Sequence, residues 1–255
     1  EPAGRMLRVR PRPVWGVVAV LVLILAAIAW VGQARNQRGT EPVGLFTTLP
    51  ILWSESPDLA AALDPAATPH WARDVLAGTG PVVPLDTLAG IPGGEPLGRV
   101  RRLVLAQPRV LSPQENVALD EWVRGGGQLL LLADPALTAH SDFALADPRR
   151  PQAVALLSPI LGRWGLELRF AEEQTLGEGR PEVMGMAVPV NLPGQFVTEG
   201  QGNCRLWADG LAVTCAIGKG RVVALADAAV LESEDADGAR ARAFAWLLDM
   251  AFAAR

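Results

Sequence analysis

The clearest pattern of apolar and polar positions lies in the middle of the chain. Residues 101–108 (RRLVLAQP) and 128–134 (QLLLLAD) contain short, almost continuous apolar runs, and residues 112–127 between them place apolar side chains at helical spacing. Strands that are apolar throughout are typical of a sheet covered on both faces. Strand, helix and strand within this span predict a right-handed βαβ crossover, and therefore an α/β fold with a mostly parallel core sheet.

The helix of this unit carries its own start and stop signals. Ser112 is placed to cap the first turn, and Glu115 three residues later completes a capping box. Three glycines at 125–127 are predicted to end the helix, because glycine adopts the left-handed conformation without steric cost.

The pattern changes in the last hundred residues. Residues 153–165 have helical spacing and residues 166–170 form a further strand, whereas residues 183–227 are short strands separated by Pro, Gly and Asp-Gly. Those turn signals predict a late region of antiparallel β-hairpins. A last helix is predicted over 239–254, after an acidic stretch suited to a helix N-terminus.

Near the N-terminus, residues 14–32 (VWGVVAVLVLILAAIAWVG) contain no ionisable side chain. As a helix this run would be roughly 28 Å long, close to the ~30 Å hydrocarbon core of a bilayer, with Trp15 and Trp30 at headgroup level. A buried core helix would show a polar stripe, and the AIA sequence at 27–29 that has the form of a signal-peptide cleavage site lies inside the apolar run. The pattern therefore predicts a retained transmembrane helix.

The flanking charges predict an orientation. Four arginines precede the apolar run and two follow it: Arg5, Arg8, Arg10, Arg12, Arg35 and Arg38. By the positive-inside rule, residues 1–13 are a basic cytoplasmic N-terminus, 14–32 a single transmembrane span, 33–42 a linker and 43–255 a periplasmic α/β domain. The predicted location is the bacterial inner membrane.

Composition and charge exclude several classes of protein. Half of the 255 residues are apolar and the formal net charge is only −4, which excludes a disordered chain. Beyond residue 40 the chain carries more acidic than basic side chains, and an acidic body repels phosphate backbones. Nucleic acid is therefore not expected as a partner.

The sequence lacks nucleotide-binding fingerprints. Gly218-Lys219-Gly220 is followed by Arg221 and flanked by strands, whereas a P-loop needs Ser or Thr after its lysine and a helix on one side. The segment is predicted to be a hairpin turn, and no cofactor is predicted.

The two cysteines flank an Asp-Gly turn signal. If Asp209-Gly210 is a two-residue hairpin loop, Cys204 and Cys215 face each other across the strands, as a hydrogen-bonded pair with Cα atoms about 5.5 Å apart. An oxidising compartment favours a disulfide between them over two buried thiols.

Polar side chains follow several of the predicted strands. Ligands of open α/β sheets bind outside the carboxyl ends of the strands, and the candidates for a ligand-binding site there are Glu55, Gln107, Arg109, Asp134, His140 and Asp227. Together with Asp142, the carboxylates and His140 could form a site for a hard metal ion. The alternative, which we favour, is that Asp134 and Asp227 cap loops and that His140 is an exposed loop residue. No metal site is predicted, and His70 is predicted to start a helix.

Four short motifs carry a family resemblance. They are an LPI-W-x-E strand end at 49–55, LSPQE at 111–115, GGGQLLLLADP at 125–135 and GKGRVVALAD at 218–227. With the apolar N-terminal run, the chain resembles the GldG-type auxiliary proteins of ABC transporters and the related DUF4350-like membrane-anchored proteins. The resemblance implies a flavodoxin-like domain of the class I glutamine amidotransferase type, outside the membrane.

The same resemblance bears on catalysis. Glutamine amidotransferases of this class use a cysteine on a strand-to-helix elbow, helped by a histidine. No G-x-C-x-G or G-x-S-x-G sequence occurs here, and neither cysteine follows a core strand. The predicted function is therefore a non-catalytic accessory domain that binds a partner protein or ligand for an ABC-type transport or cell-envelope system. The alternative is a hydrolase or a metal- or ligand-binding enzyme that uses the strand-end carboxylates.

Overall fold

The computed structural model describes residues 41–53, 55, 69–90, 94–198, 200, 203–232, 234–235 and 237–253. The chain divides into two units, Glu1–Thr40 and Glu41–Arg255, and all described residues belong to the second. The predicted cytoplasmic segment, apolar run and most of the linker lie outside the described residues.

The described residues form four α-helices and thirteen strands. The helices are α1 (Trp71–Thr79), α2 (Pro113–Arg124), α3 (Ser158–Arg163) and α4 (Ala239–Phe252). The strands are β1 (Val43–Thr47), β2 (Val82–Pro84), β3 (Arg102–Ala106), β4 (Gln128–Leu132), β5 (Leu166–Phe170), β6 (Glu178–Gly179), β7 (Glu182–Val183), β8 (Met186–Ala187), β9 (Val190–Asn191), β10 (Gly194–Thr198), β11 (Cys204–Trp207), β12 (Ala212–Ile217) and β13 (Gly220–Leu225).

The main sheet has seven strands in the order β11-β12-β13-β4-β3-β1-β2. Strands β2, β1, β3, β4 and β13 pair in parallel, while β12 and β11 extend the sheet in antiparallel pairing. The parallel part has the 2-1-3-4-5 strand order of flavodoxin-like sheets. The mostly parallel core and the late antiparallel hairpins are thus present.

Helices cover both faces of this sheet. On one face, α1 and α4 pack through residues such as Leu76 and Phe244, and on the other α2 and α3 pack through Leu119 and Ile160. Successive strand residues point to opposite faces, so both faces are apolar. This is the physical reason for the continuous apolar runs in β3 and β4.

The crossover β3–α2–β4 matches its prediction. Ser112 Oγ accepts a hydrogen bond from Glu115 N (3.2 Å), and Glu115 Oε2 accepts one from Ser112 N (2.9 Å), so the capping box is confirmed. Of the three glycines after α2, only Gly126 has a positive φ (119°). Only one of the three glycines is therefore needed for its conformational freedom at the end of this helix.

Residues 166–198 form an excursion beside the main sheet. Strand β5, predicted as a continuation of the α/β pattern, pairs only with β10, and the two short hairpin pairs β6–β9 and β7–β8 lie between them in sequence. The difference arises because the segment between β4 and β13 is long enough to form its own antiparallel ribbon.

The disulfide between Cys204 and Cys215 is confirmed, with strand register as predicted. The loop differs: Trp207 pairs with Ala212, so residues 208–211 make a four-residue connection. This shifts the hydrogen-bonding pattern by one position, and Ala216 N donates to Asn203 O (2.9 Å). The cysteines therefore occupy a non-hydrogen-bonded pair, with Cα atoms 4.1 Å apart, where the strands approach most closely.

One part of the predicted fold class is corrected. In the part of the chain that the structure describes, every helix is too short or too polar to cross a membrane. The predicted span at 14–32 lies outside that part. On this finding the transmembrane helix is withdrawn from the fold class, and with it the single-pass inner-membrane location and the periplasmic placement of the domain.

Candidate functional site

The carboxyl ends of four parallel strands meet at one edge of the main sheet, called here the carboxyl edge. The residues just beyond these ends are Thr48 after β1, Gln107 after β3, Asp134 after β4 and Asp227 after β13. Strands β1 and β3 are the switch point of the sheet, because the chain runs from β1 to β2 on one side and then crosses to β3 on the other. Ligands of open α/β sheets bind at such points.

Gln107 ties three loops together at this switch point. Its side chain is fully buried, and Nε2 donates to Asp134 O (3.0 Å) and Gln152 O (2.7 Å) while Oε1 accepts from Asp134 N (2.9 Å). Its carbonyl oxygen accepts from Thr48 Oγ1 (2.5 Å). Gln107 has a positive φ of 39°, an uncommon conformation for a residue with a side chain. Gln107 is therefore a fixed part of the floor of this edge.

Asp134 and Asp227 lie on the neighbouring strands β4 and β13, and both are completely buried. Asp134 accepts hydrogen bonds from Ala136 N (2.7 Å) and Ala228 N (3.2 Å). Asp227 accepts them from Ala229 N (2.6 Å) and Asn191 N (2.9 Å). All four carboxyl oxygens thus bind backbone amides, as expected if these residues cap loops.

The pKa values of both groups are raised. Burial raises the pKa of Asp134 to about 6, against the opposing effect of its amide hydrogen bonds. Burial also raises the pKa of Asp227 well above its ordinary value, and the negative charge of Asp134 raises it further. The two carboxyl groups therefore form a coupled pair that holds protons more tightly than an exposed aspartate does.

A charge network borders this pair. Arg240, from α4, donates to Glu232 Oε2 (2.8 Å), to Glu178 Oε2 (2.7 Å) and to Ala229 O (3.0 Å). Thr138 Oγ1 donates to Glu232 Oε1 (2.9 Å). The negative charge of Glu232 contributes to the raised pKa values of Asp134 and Asp227.

The other predicted site residues have different partners. Arg109 binds Glu115 (2.8 and 2.9 Å) and stacks over Phe46, 4.9 Å from the ring centroid. Ser141 donates a hydrogen bond to Glu55. The structure therefore brings together Gln107, Asp134 and Asp227. Arg109 and Glu55 instead bind side chains of other segments, Glu115 and Ser141.

The two histidines differ in surroundings. His140 is exposed and its Nε2 lies 3.3 Å from Asp142 Oδ1. His70 caps α1 as predicted, with Nδ1 accepting from Ala72 N (3.1 Å) and Nε2 lying 3.1 Å from Leu231 O. Among the described residues, no three His, Cys, Asp or Glu side chains are placed to hold a metal ion.

The N-terminus of α2 lies at the carboxyl edge, and the Glu115 side chain occupies it. The Glu115 carboxylate accepts hydrogen bonds from Ser112 N, Leu88 N, Thr87 Oγ1 and the Arg109 guanidinium. Burial opposes ionisation of Glu115, but these hydrogen bonds lower its pKa to about 2. An external anion would have to displace a permanently charged carboxylate here.

The residues that hold the segment after Asp227 were not among the predicted site residues. His70 and Trp71 bind Leu231 O and Glu232 O from α1, at 3.1 and 2.9 Å, and Asn191 N reaches Asp227 from the excursion. The acidic stretch 232–235 was the available signal. Its predicted role at a helix start falls to Asp235, which accepts from Arg240 N (2.9 Å).

Comparison with known proteins gave structural likeness only. No family model matches the chain, and no curated protein matches it. Among solved structures, the exo-β-1,4-mannosidase Op5Man5 from Opitutaceae bacterium strain TAV5 is 16% identical, with a TM-score of 0.45. The match covers 88% of this chain but only 38% of the mannosidase. The resemblance to GldG-type proteins stays a prediction.

Two other matches cover most of both proteins. The cytoplasmic protein STM3548 from Salmonella typhimurium is 12% identical with a TM-score of 0.47, over 84% of this chain and 99% of its own. A thua-like protein from Parabacteroides merdae is 10% identical with a TM-score of 0.37, over 85% and 92%. At these values no activity is transferred from any of them.

The matched structures also include glycoside hydrolases, among them β-galactosidases. Beside these matches the prediction that the chain is not an enzyme is withdrawn, and their TM-scores below 0.5 transfer no activity to it. The chain spans about a third of these enzymes, 38% and 31% in two cases, so their activities belong to much longer proteins.

Proposed function

We propose that the domain binds a small ligand at the carboxyl edge of its sheet, in the crevice between β1 and β3. The observation that carries the proposal is the switch point itself, where α1 and α2 leave for opposite faces of the sheet. Gln107 keeps the surrounding loops in place before any ligand arrives, which lowers the ordering cost of binding.

The rim of the crevice supports a ligand with an apolar face and polar edges. Trp53 in the loop after β1 is 46% exposed, an uncommon state for an indole ring. Thr48 and Gln152 are half-buried in the loops joined at Gln107, and Gln152 N donates to Thr48 Oγ1 (2.9 Å). A strong anion fits less well, because Glu115 already occupies the adjacent helix N-terminus and the Arg109 guanidinium.

A binding screen tests this proposal. We expect at least one class among monosaccharides, nucleotides, amino acids and carboxylic acids to raise the melting temperature of the full-length chain, with calorimetry giving the affinity. Trp53→Ala should weaken that binding about tenfold or more, whereas Leu206→Ala, which truncates an exposed side chain in the lateral strand β11, should not. Unchanged binding by Trp53→Ala would remove Trp53 from the site.

A second candidate function is acid–base hydrolysis by Asp134 and Asp227. Its support is the raised pKa of Asp134, about 6, beside a second buried carboxyl group on the next strand. The site would first have to open, since both groups are fully buried. We expect turnover of an ester, amide or glycoside substrate to be lost in Asp134→Ala and Asp227→Ala variants that remain folded. No turnover by the wild-type chain on such a panel would count against hydrolysis.

A protein partner, as in an ABC-type transport or envelope system, remains a prediction. Crosslinking followed by identification of the captured protein would test it, with Trp53→Ala as the variant expected to reduce capture if the partner uses the same edge.

A further inference from the structure

The segment after β13, residues 227–232, begins at the carboxyl edge and is held at its start by two carboxyl groups. Asp134 binds Ala228 N (3.2 Å), and Asp227 binds Ala229 N (2.6 Å). Asp227 also binds Asn191 N (2.9 Å), which connects the segment to the excursion. The positions of these amides therefore depend on the state of the two carboxyl groups.

No cation neutralises this pair directly. In the part of the chain that the structure describes, the hydrogen-bond partners of Asp134 and Asp227 are all backbone amides. Arg240 binds Ala229 O, next to the pair along the chain, but its guanidinium forms ion pairs with Glu178 and Glu232. Two negative charges on adjacent buried strand ends would repel each other strongly, because the surroundings screen them poorly.

Other charged and titratable groups border the segment on each side. They are Glu232 within it, Arg240 and Asp235 at the start of α4, Glu178 and Arg180 in the excursion, Asp237 paired with Arg180, and His70 on α1. Glu232 adds to the negative field. His70 holds the far end through Leu231 O, and its Nδ1 accepts from Ala72 N, which requires a neutral ring.

We propose that one proton bound by the Asp134–Asp227 pair locks segment 227–232 at the carboxyl edge, and that loss of this proton releases the segment. With the proton present, the pair carries one negative charge instead of two. Without it, the repulsion is relieved most easily by moving 227–232, because Asp134 is fixed from the other side by Gln107. Any effect of this release on ligand binding rests on the proposed function. The proton switch itself can be measured without a ligand.

Protonation of His70 sets the acidic limit of the locked state. A proton on Nδ1 would oppose the Ala72 N–H and break the cap of α1, so the far end of the segment loosens when the pH falls below the lowered pKa of His70. Burial is the main cause of that lowering. The segment is therefore locked between the lowered pKa of His70 and the raised pKa values of the carboxyl pair, and it is released as the pH rises above the latter.

Hydrogen exchange on the full-length chain tests the switch. After correction for intrinsic exchange, we expect protection of the amides at 228–229 to fall about tenfold or more between about pH 5 and about pH 8, relative to the amides of α2. Asp134→Asn and Asp227→Asn should remove this dependence. Asp120→Asn, which changes a buried carboxyl group that binds arginines, should keep it. Constant protection in the wild type, or an unchanged slope in both strand-end variants, would overturn the proposal.

Infrared titration of the wild-type chain provides a measurement that does not need a folded variant. We expect the carbonyl band of a protonated carboxylic acid to persist above about pH 6, where exposed carboxyl groups are ionised, and to vanish together with the protection at 228–229. Absence of that band above this pH would overturn the proposal even if neither asparagine variant folds. If the infrared band and the exchange at 228–229 change together but the chain binds no ligand, the proton switch is supported and only the proposed binding function is rejected.

Discussion

Two sets of carboxyl groups in this protein have almost no exposed surface, but their pKa values are shifted in opposite directions. On α2, Glu115 and Asp120 are 2% and 1% exposed, and each binds arginine side chains. At the carboxyl edge, Asp134 and Asp227 are both 0% exposed and bind only backbone amides among the described residues. The comparison shows that arginine partners keep a hidden carboxylate charged, whereas deeper burial and a neighbouring carboxyl group favour its protonated form.

The pKa values follow this division. Burial works against ionisation in every case, but hydrogen bonds from Arg124, Arg163 and Trp164 lower the pKa of Asp120, and those around Glu115 do the same. At the carboxyl edge burial prevails and the pKa values rise. We therefore expect the α2 set to stabilise the fold as carboxylates and the edge set to reduce its stability when both groups ionise.

Removing Glu115 should have the largest effect. Glu115→Ala leaves the N-terminus of α2, Leu88 N and Thr87 without their acceptor, and we expect the free energy of unfolding to fall by about 3 kcal/mol. Urea denaturation measures this, with Glu121→Ala on the same helix as an exposed control. A loss equal to that of the control would show that the capping box contributes little.

The pH dependence of the free energy of unfolding should distinguish the two sets of carboxyl groups. Because the folded pKa of Asp134 is about 6 and its ordinary value 3.8, its contribution is present below that ordinary value and is lost as the pH rises toward 6. We expect a decrease of about 3 kcal/mol over this range. For Glu115 the sign is reversed, with stability lost as the pH falls from 4.5 toward about 2.

Denaturation across this pH range measures both slopes. Asp134→Asn should flatten the upper slope and Glu115→Gln the lower one. If the free energy of unfolding of Asp134→Asn still falls between pH 3.8 and about 6, another group is responsible for that pH dependence.

Matched asparagine variants should then sharpen the contrast at neutral pH. Asp120→Asn removes the charge that Arg124, Arg163 and Trp164 bind, and we expect it to cost about 1.5 kcal/mol. Asp134→Asn loses an amide hydrogen bond but removes an unpaired buried charge, so we expect a change within about 1 kcal/mol. A larger loss for Asp134→Asn than for Asp120→Asn would reverse the comparison.

The smallest effect should come from an exposed partner. Arg163→Ala leaves Asp120 bound by Arg124 and by the Trp164 indole, so we expect thermal unfolding close to that of the wild type. A clear fall in melting temperature would mean that Arg163 has a structural role beyond this ion pair.

Local signals in the sequence predicted much of the fold. The crossover over 101–134 could be predicted because its strands are apolar on both faces and its helix begins with Ser112 and Glu115. The disulfide could be predicted because pairing across a hairpin depends on loop position alone. The length of that loop could not, since a four-residue and a two-residue connection give the same register of cysteines.

The candidate site was predicted only in part. Strand ends identified Gln107, Asp134 and Asp227, because parallel strands bring their carboxyl ends to one edge. The pairing of Arg109 with Glu115, and of Glu55 with Ser141, depends on how separate loops pack, and no pattern of apolar residues records that packing.

The sequence by itself determined the parallel core, the capped helix α2 and the hairpin cysteines, because each depends on neighbours within a few residues or on a simple alternation. Only the tertiary structure decided the charge states of the buried acids. Asp120 and Asp134 have the same side chain and almost no exposed surface. One is surrounded by guanidinium and indole donors, and the other lies deeper in the protein among amides and another carboxyl group. The electrostatic energy of a buried charge depends on what lies within a few ångströms of it, and residues distant in the sequence supply those neighbours.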